Sequence, residues 1–320
     1  MSEDITHNPH DKLFKEAFAR REMAKDFFDS YLPDDITSRM DWDTLKLQSG
    51  KFTSEALQGS ESDLLYTIEI DQHPAMLYCL FEHQSKPDPW MPLRLLRYII
   101  GIWEQYRKQN PNANKLPPIL PIVLYQGGDN WTADTSLSSL IETPEGLSDN
   151  QPDFRHLLID LNQFESDKLQ GSPSLKTILL ALKSSREHTQ YEFELLVRLL
   201  AKVLNVDSAL IRTVMLYLYS VDNQTDISEY INQAEALELP QLQEEFMTIA
   251  DKLRNEGMQQ GMQQALRDDI VEILEVRFHS VSFSVKKQLE DITDAGDLRR
   301  ILRLAVKVAC IQELEESISS

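Results

Sequence analysis

The 320-residue chain predicts a mixed α/β region followed by an all-helical carboxyl-terminal region. Three observations carry that reading. Residues 62–86, SDLLYTIEIDQHPAMLYCLFEHQSK, alternate in polarity like two β-strands joined by a tight turn. Residues 117–124 form a short apolar run of the kind that pairs inside a sheet. From Leu175 onward, apolar residues recur at three- and four-residue spacing, as on the inner face of packed helices.

Taken in order, residues 8–31 open with Asn-Pro and set Leu13, Phe14, Ala17, Phe18, Met23, Phe27 and Phe28 at helical spacing, which predicts one amphipathic helix ending near Tyr31. An acidic bridge at 34–43 leads to residues 45–57, one strand or two interrupted by Ser49 and Gly50. In the first strand of the central hairpin Leu64, Tyr66, Ile68 and Ile70 share one face, and Asp63, Leu65, Thr67 and Glu69 the other. In the second, Leu77, Cys79, Phe81 and His83 oppose Met76, Tyr78, Leu80, Glu82 and Gln84. Asp71, Gln72, His73 and Pro74 supply the turn.

Pro87, Pro89 and Pro92 end the second strand, and a helix to about Gln109 follows with Leu95, Leu96, Ile99, Ile102, Trp103 and Tyr106 as its buried stripe. Arg94, Arg97 and Lys108 share its polar side, either as a solvated face or as contacts to phosphate. The strand at 117–124 ends in the turn Tyr125-Gln126-Gly127-Gly128. Residues 129–172 are rich in Asp, Ser, Thr, Pro and Gly and read as a connector with a short strand at 156–161. Helices are expected around 174–185, 191–205, 208–220 and 239–257. The repeated tetrapeptide Gly257-Met-Gln-Gln, Gly261-Met-Gln-Gln is open to three readings: a close approach by another helix, a mere weakening of the helix, or a flexible joint. Residues 267–309 form a further amphipathic unit, open to two readings: ordinary core packing, or a dimerisation or regulatory tail. The expected domains are residues 1–172, 173–256 and 257–320.

Hydrophobic content of 42% and charged content of 26% describe a globular chain. No apolar run reaches the roughly 20 residues of a membrane helix, and the start MSEDITHNPHD lacks a signal-peptide core, so a cytoplasmic location is the expectation. Cys79 and Cys310 lie too far apart in sequence to suggest a disulfide framework. A net charge of −20 opposes simple nucleic-acid binding. Its distribution weakens the objection: residues 1–130 hold 14 Lys and Arg against 20 Asp and Glu, and the remainder 18 against 32. DNA affinity should be modest and fall steeply with salt.

If the chain reverses at Gln72 and His73, Asp63 stands directly opposite Glu82. Cβ atoms of such a pair sit roughly 4.5 to 5.5 Å apart, and like charges there are destabilising unless compensated. A hard cation such as Mg²⁺ would compensate them; the alternative is an acidic pair without further use. His83 points to the other face and should pack in the core, leaving its backbone carbonyl available to a cation. Gln126 is a late polar candidate for the same place.

Asp63, then Glu82, one spacer and Gln84 resemble the PD-(D/E)XK nuclease signature, with Gln where the commonest form has Lys. HDKLFKEAF, SDLLY, LFEHQSKPDPWMPLRLLRYIIGIWE and PILPIVLYQGG resemble, in order over about the first 130 residues, the recombination-promoting nuclease family, also filed under a transposase name. The resemblance implies a restriction-endonuclease-like αβββαβ core; periodicity alone reaches only mixed α/β. It further implies a metal-dependent DNA endonuclease that promotes recombination, using Mg²⁺ and stimulated by Ca²⁺. Asp63, Glu82 and Gln84 would be catalytic, with Asp63, Glu82 and the His83 carbonyl on the metal. Asp11, Lys15 and Glu16 of the first helix and Lys86 would be accessories, and Arg94 and Arg97 would touch DNA phosphate. Two alternatives stand beside this reading. A transposase-type strand-transfer enzyme would need a third acid and a DNA-recognition module, and the sequence offers no convincing basic helix-turn-helix. An idle nuclease fold acting as a binding or regulatory protein would accord with Gln84 and the acidic carboxyl-terminal half. Cutting both strands needs two active sites, so a homodimer is the expected assembly.

Overall fold

Asn8 starts the first helix by accepting the His10 backbone N–H, with Pro9 in the first turn, where its missing N–H costs nothing. The computed structural model describes residues 8–48, 63–84, 86–144, 146–183, 189–221 and 226–319. The single helix expected over 8–31 is two: α1 (Pro9–Phe18) and α2 (Arg21–Tyr31), separated by an extended Arg20. The apolar spacing explains the break. Leu13, Phe14, Ala17 and Phe18 are followed by Met23, Ala24, Phe27 and Phe28. At 3.6 residues per turn the second set would lie roughly 80° around an unbroken helix from the first. Breaking the helix lets both sets reach the same core: Phe14 stacks on Phe81 at 4.9 Å, and Phe28 meets Tyr66 edge-on at 5.2 Å.

A four-residue helix α3 (Asp34–Thr37) leads to β1 (Met40–Leu47), which begins five residues before the expected strand. Asp41 and Asp43 point outward from this edge strand, so their charge concealed it in the sequence. The rest of the 45–57 expectation, from Ser49 onward, lies outside the described residues.

β2 (Asp63–Ile70) and β3 (His73–Glu82) form the central hairpin. The turn is Asp71-Gln72, both left-handed (φ 49° and 63°), a two-residue turn that fits the strands' twist. Ile70 therefore pairs with His73, and Asp63 with Leu80 rather than Glu82. This corrects the expected register. The Arg39 guanidinium reaches Asp71 at 2.9 Å and ties the turn to the start of β1.

α4 (Met91–Gln109) then crosses to β4 (Ile119–Tyr125), parallel to β3, and β5 (Leu157–Asp160) adds parallel to β4. The described sheet has the order β1-β2-β3-β4-β5. Helices cover both faces. Met91, Leu95, Tyr98 and Ile102 of α4 pack on Leu65, Met76, Tyr78, Leu80 and Val123. The other face takes the aromatics of α1 and α2, and the Tyr66 hydroxyl donates to the Phe18 carbonyl. The fold is mixed α/β.

Four helices follow: α5 (Pro173–Lys183), α6 (Gln190–Leu204), α7 (Ser208–Val221) and α8 (Ile227–Ala236). They belong to the same compact unit as the sheet, Met1–Leu242. The His10 ring meets the Tyr217 hydroxyl at 2.8 Å and Arg20 pairs with Asp207, joining α1 to α7.

Gly257 and Gly261 form no joint but lie in the middle of a continuous 39-residue helix, α9 (Pro240–Phe278). Each Gly weakens a helix by only about 1 kcal/mol relative to Ala, which the remaining turns absorb. The second unit, Gln243–Ser320, adds α10 (Phe283–Glu290), α11 (Ala295–Ala305) and α12 (Ile311–Ser319). Its core gathers Ile270, Leu274, Val285, Leu289, Leu298 and Ile301. Arg267 caps the end of α10 by donating to the Leu289 and Ile292 carbonyls at 2.9 and 2.7 Å. No helix among the described residues is long and apolar enough to cross a membrane.

Candidate functional site

The hairpin turn lies one residue earlier than expected, which moves every cross-strand partner by two. Side chains alternate with period two, so the shift preserves the face. Asp63 and Glu82 therefore lie on the same side of the sheet, as diagonal rather than direct neighbours, roughly 7–8 Å apart with their Cβ atoms somewhat closer. Both are buried, at 7% and 3% exposure.

Each carboxylate has a fixed partner. Tyr78, on the same face of β3, donates its hydroxyl to Asp63 Oδ2. Burial and then the negative charge of Asp63 hold the Tyr78 phenol well above its ordinary range, so it stays protonated as the donor. Glu82 Oε1 accepts the backbone N–H of Gln84 at 3.0 Å, and Oε2 takes Arg94 Nη1 at 2.8 Å. Arg94 stands in the first turn of α4, which crosses the end of β3. Its guanidinium lies 6.0 Å from the centre of the Tyr98 ring, one helical turn further on. Burial opposes the Arg94 charge, but Tyr98 and the carboxylates of Glu82 and Asp63 outweigh it and leave the group firmly cationic.

Glu82 pairs with Tyr125 at the end of β4, and Tyr125 with Asp160 at the end of β5, so one end of the sheet presents Asp63, Glu82, Tyr125 and Asp160 on one face. Asp160 is committed locally: it accepts the Trp131 and Asn162 backbone N–H groups at 2.9 and 3.0 Å. Gln126 is buried, and its backbone N–H donates to the Glu82 carbonyl at 2.9 Å. Gly127 follows because space demands it. A Cβ there would stand 1.8 Å from the Tyr125 hydroxyl and 2.6 Å from the Gln84 carbonyl.

The other sequence candidates fall elsewhere. The Gln84 side chain is exposed at the rim, as are Lys86 and Arg97. His83 points to the opposite face, as its parity requires, but it is half-buried in a polar cluster rather than in the core. Its Nε2 lies 2.6 Å from the Asn8 amide and its Nδ1 3.4 Å from Asp11, and its ring stacks on His10 at 5.5 Å. Asp11, Lys15 and Glu16 thus belong to the helix covering the far face. Glu16 is exposed and pairs with Lys12 at 4.0 Å, a contact of little energetic weight.

Sequence reasoning placed Arg94 on a polar face and missed its role as counter-ion to Glu82. The signal available was its place in the first turn of a helix that starts just past the strand end. Tyr78 was placed on the carboxylate face but given no role there. Among the described residues no group of three or more His, Cys, Asp or Glu side chains could hold a metal. The donor set is two carboxylates with one guanidinium between α4 and the sheet. A hard cation on such a set would need water, backbone carbonyl or phosphate oxygen for its remaining ligands.

Comparison with known proteins places this geometry in context. The family described as "Putative transposase, YhgA-like" matches residues 8–211. The inactive recombination-promoting nuclease-like protein RpnE of Escherichia coli (strain K12) is 28% identical over 275 residues, 85% of this chain and 90% of that protein. Recombination-promoting nuclease RpnC of the same strain is 40% identical over 119 residues, 37% of this chain and 39% of that protein. Recombination-promoting nuclease RpnA, also from that strain, is 28% identical over 263 residues, 81% and 88% of the two chains. No solved structure matches this chain.

Proposed function

Because the chain belongs to the YhgA-like family, whose relatives include proteins named recombination-promoting nucleases, we propose that it is a metal-dependent DNA endonuclease built on a PD-(D/E)XK-like core. The observation that carries this reading is the shared face of Asp63 and Glu82, two buried carboxylates at one end of the sheet. Two hard oxygen donors suit Mg²⁺, which commonly takes one or two carboxylates and keeps water or phosphate oxygens as its other ligands. Ca²⁺ takes the same donor type.

Asp63 and Glu82, with the backbone carbonyl of His83, would hold the cation. Bound there, Mg²⁺ would lower the pKa of a water and neutralise charge gathering on the scissile phosphate. Tyr78 fixes the Asp63 carboxylate, and the Gln84 N–H fixes Glu82. The Gln84 side chain, at the rim, orients the attacking water or touches the phosphate; it carries no charge and cannot take the part of a lysine. Lys86 and Arg97, both exposed, supply phosphate contacts. We place this activity in the cytoplasm, in a two-fold dimer whose second unit serves as the assembly or regulatory part.

A second reading, an idle nuclease fold acting as a binding protein, is favoured by one observation: Glu82 already has a cationic partner in Arg94. The test uses supercoiled plasmid with purified protein, with and without Mg²⁺, for wild type and Asp63→Ala. Mg²⁺-dependent nicking that drops at least a hundredfold in the variant supports the nuclease. Nicking that survives in the variant removes Asp63 from the site. Wild type that never nicks turns the reading to the idle fold, and joining of DNA ends to a target turns it to a transposase.

A further inference from the structure

One end of the sheet gathers two buried carboxylates, and the position two residues past Glu82 holds an uncharged, exposed Gln84. Positive charge reaches this place from a different element. Arg94 comes off the first turn of α4, and its Nη1 meets Glu82 Oε2 at 2.8 Å. The two partners are unequally buried: the Glu82 side chain is 3% exposed, the Arg94 side chain 31%. Part of the guanidinium therefore faces solvent while one nitrogen holds the carboxylate. Arginine presents five N–H donors in a planar fork that suits phosphate oxygens as well as carboxylates.

Building on the nuclease reading, we infer that Arg94 is the exchangeable cation of this site. It neutralises Glu82 while no divalent cation is bound, and it gives its donors to a substrate phosphate oxygen once Glu82 is engaged by one. Three features support this. Arg94 Nη1 holds Glu82 Oε2 and the Gln84 N–H holds Oε1, so a divalent cation engaging Glu82 meets a carboxylate whose charge Arg94 already neutralises. The Tyr98 ring beside the guanidinium offers a surface along which the fork can turn without losing all its partners. And α4 is anchored by Met91 and Leu95 on either side of Arg94, so the exchange needs a change of side-chain rotamer only.

The experiment takes the full chain as wild type, Arg94→Gln and Arg94→Lys. Mg²⁺ binding is followed by calorimetry and by the Mg²⁺-dependent rise in melting temperature, and plasmid nicking is measured on the same preparations. Removing the competing charge should tighten Mg²⁺ binding at least tenfold in Arg94→Gln and enlarge its Mg²⁺-dependent thermal shift, while nicking slows at least a hundredfold. Arg94→Lys should nick at an intermediate rate. Unchanged or weaker Mg²⁺ binding in a folded Arg94→Gln overturns the inference, as does nicking at the wild-type rate. If Arg94→Gln does not fold, the uncharged Arg94→Met takes its place: tighter Mg²⁺ binding with slower nicking upholds the exchange, and a wild-type value of either overturns it. A wild type that neither nicks nor binds Mg²⁺ defeats the nuclease reading. In that case Arg94→Gln acquiring Mg²⁺ binding still establishes Arg94 as the competing cation, and its failure to do so removes both.

Discussion

His156 is a buried imidazole, 2% exposed, set edge-on to the Trp131 ring at 6.2 Å. Burial drives its pKa down to about 4 from 6.5, against weaker opposing pulls from Asp134 and the Thr135 backbone. Between those values the unfolded chain binds a proton that the folded chain refuses. Its contribution to stability is therefore complete above about pH 6.5 and is lost as pH falls toward about 4, on the order of 3 kcal/mol in all. Urea unfolding at pH 7 and pH 4.5 should show a smaller loss on acidification in His156→Leu than in wild type; equal losses would remove His156 from the acid response. At this scale too, Arg94 and Tyr78 show how an ordinary helix residue and an ordinary strand residue acquire a role. Each is defined by the carboxylate it meets, and neither carboxylate is its near neighbour in sequence.

Among the elements, the β2–β3 hairpin carries the most consequence. Its turn sits one residue from where turn chemistry alone would put it, because Asp71 and Gln72 both take the left-handed conformation and Arg39 holds Asp71. The carboxylates changed partners and kept their face, since parity is the stronger constraint. α9 makes the opposite point: two glycines open to reading as a joint lie inside one helix, with nothing among the described residues within 4 Å of where a Cβ would stand. Gly257→Ala and Gly261→Ala should each stabilise this helix by about 0.5–1 kcal/mol, through lower backbone entropy in the unfolded chain. The check is the denaturant midpoint followed by circular dichroism. A lowered midpoint would mean that the glycines admit a close neighbour.

For the whole molecule, the excess of acidic residues is concentrated beyond residue 130, while the candidate site lies within the first 130. The second unit has its own apolar core, so it can serve a function separate from the sheet's chemistry. Two-fold association is expected in sedimentation velocity of the full chain, with the mass rising toward twice 36.9 kDa across a concentration series. A mass that stays at one chain throughout would rule out the dimer.

Periodicity by itself determined the strands of the hairpin, the helix after the prolines, a strand over 117–124, most of the carboxyl-terminal helices and the common face of Asp63 and Glu82. These are properties of local hydrophobic pattern, which a chain carries whatever its partners. The break at Arg20, the start of β1 among acidic residues, the unbroken α9, the exact cross-strand partner of Asp63 and the grip of Arg94 on Glu82 were decided only in three dimensions. Each depends on which distant surface an element must cover or which distant charge it must neutralise, and those distances exist only once the sheet and its helices have packed.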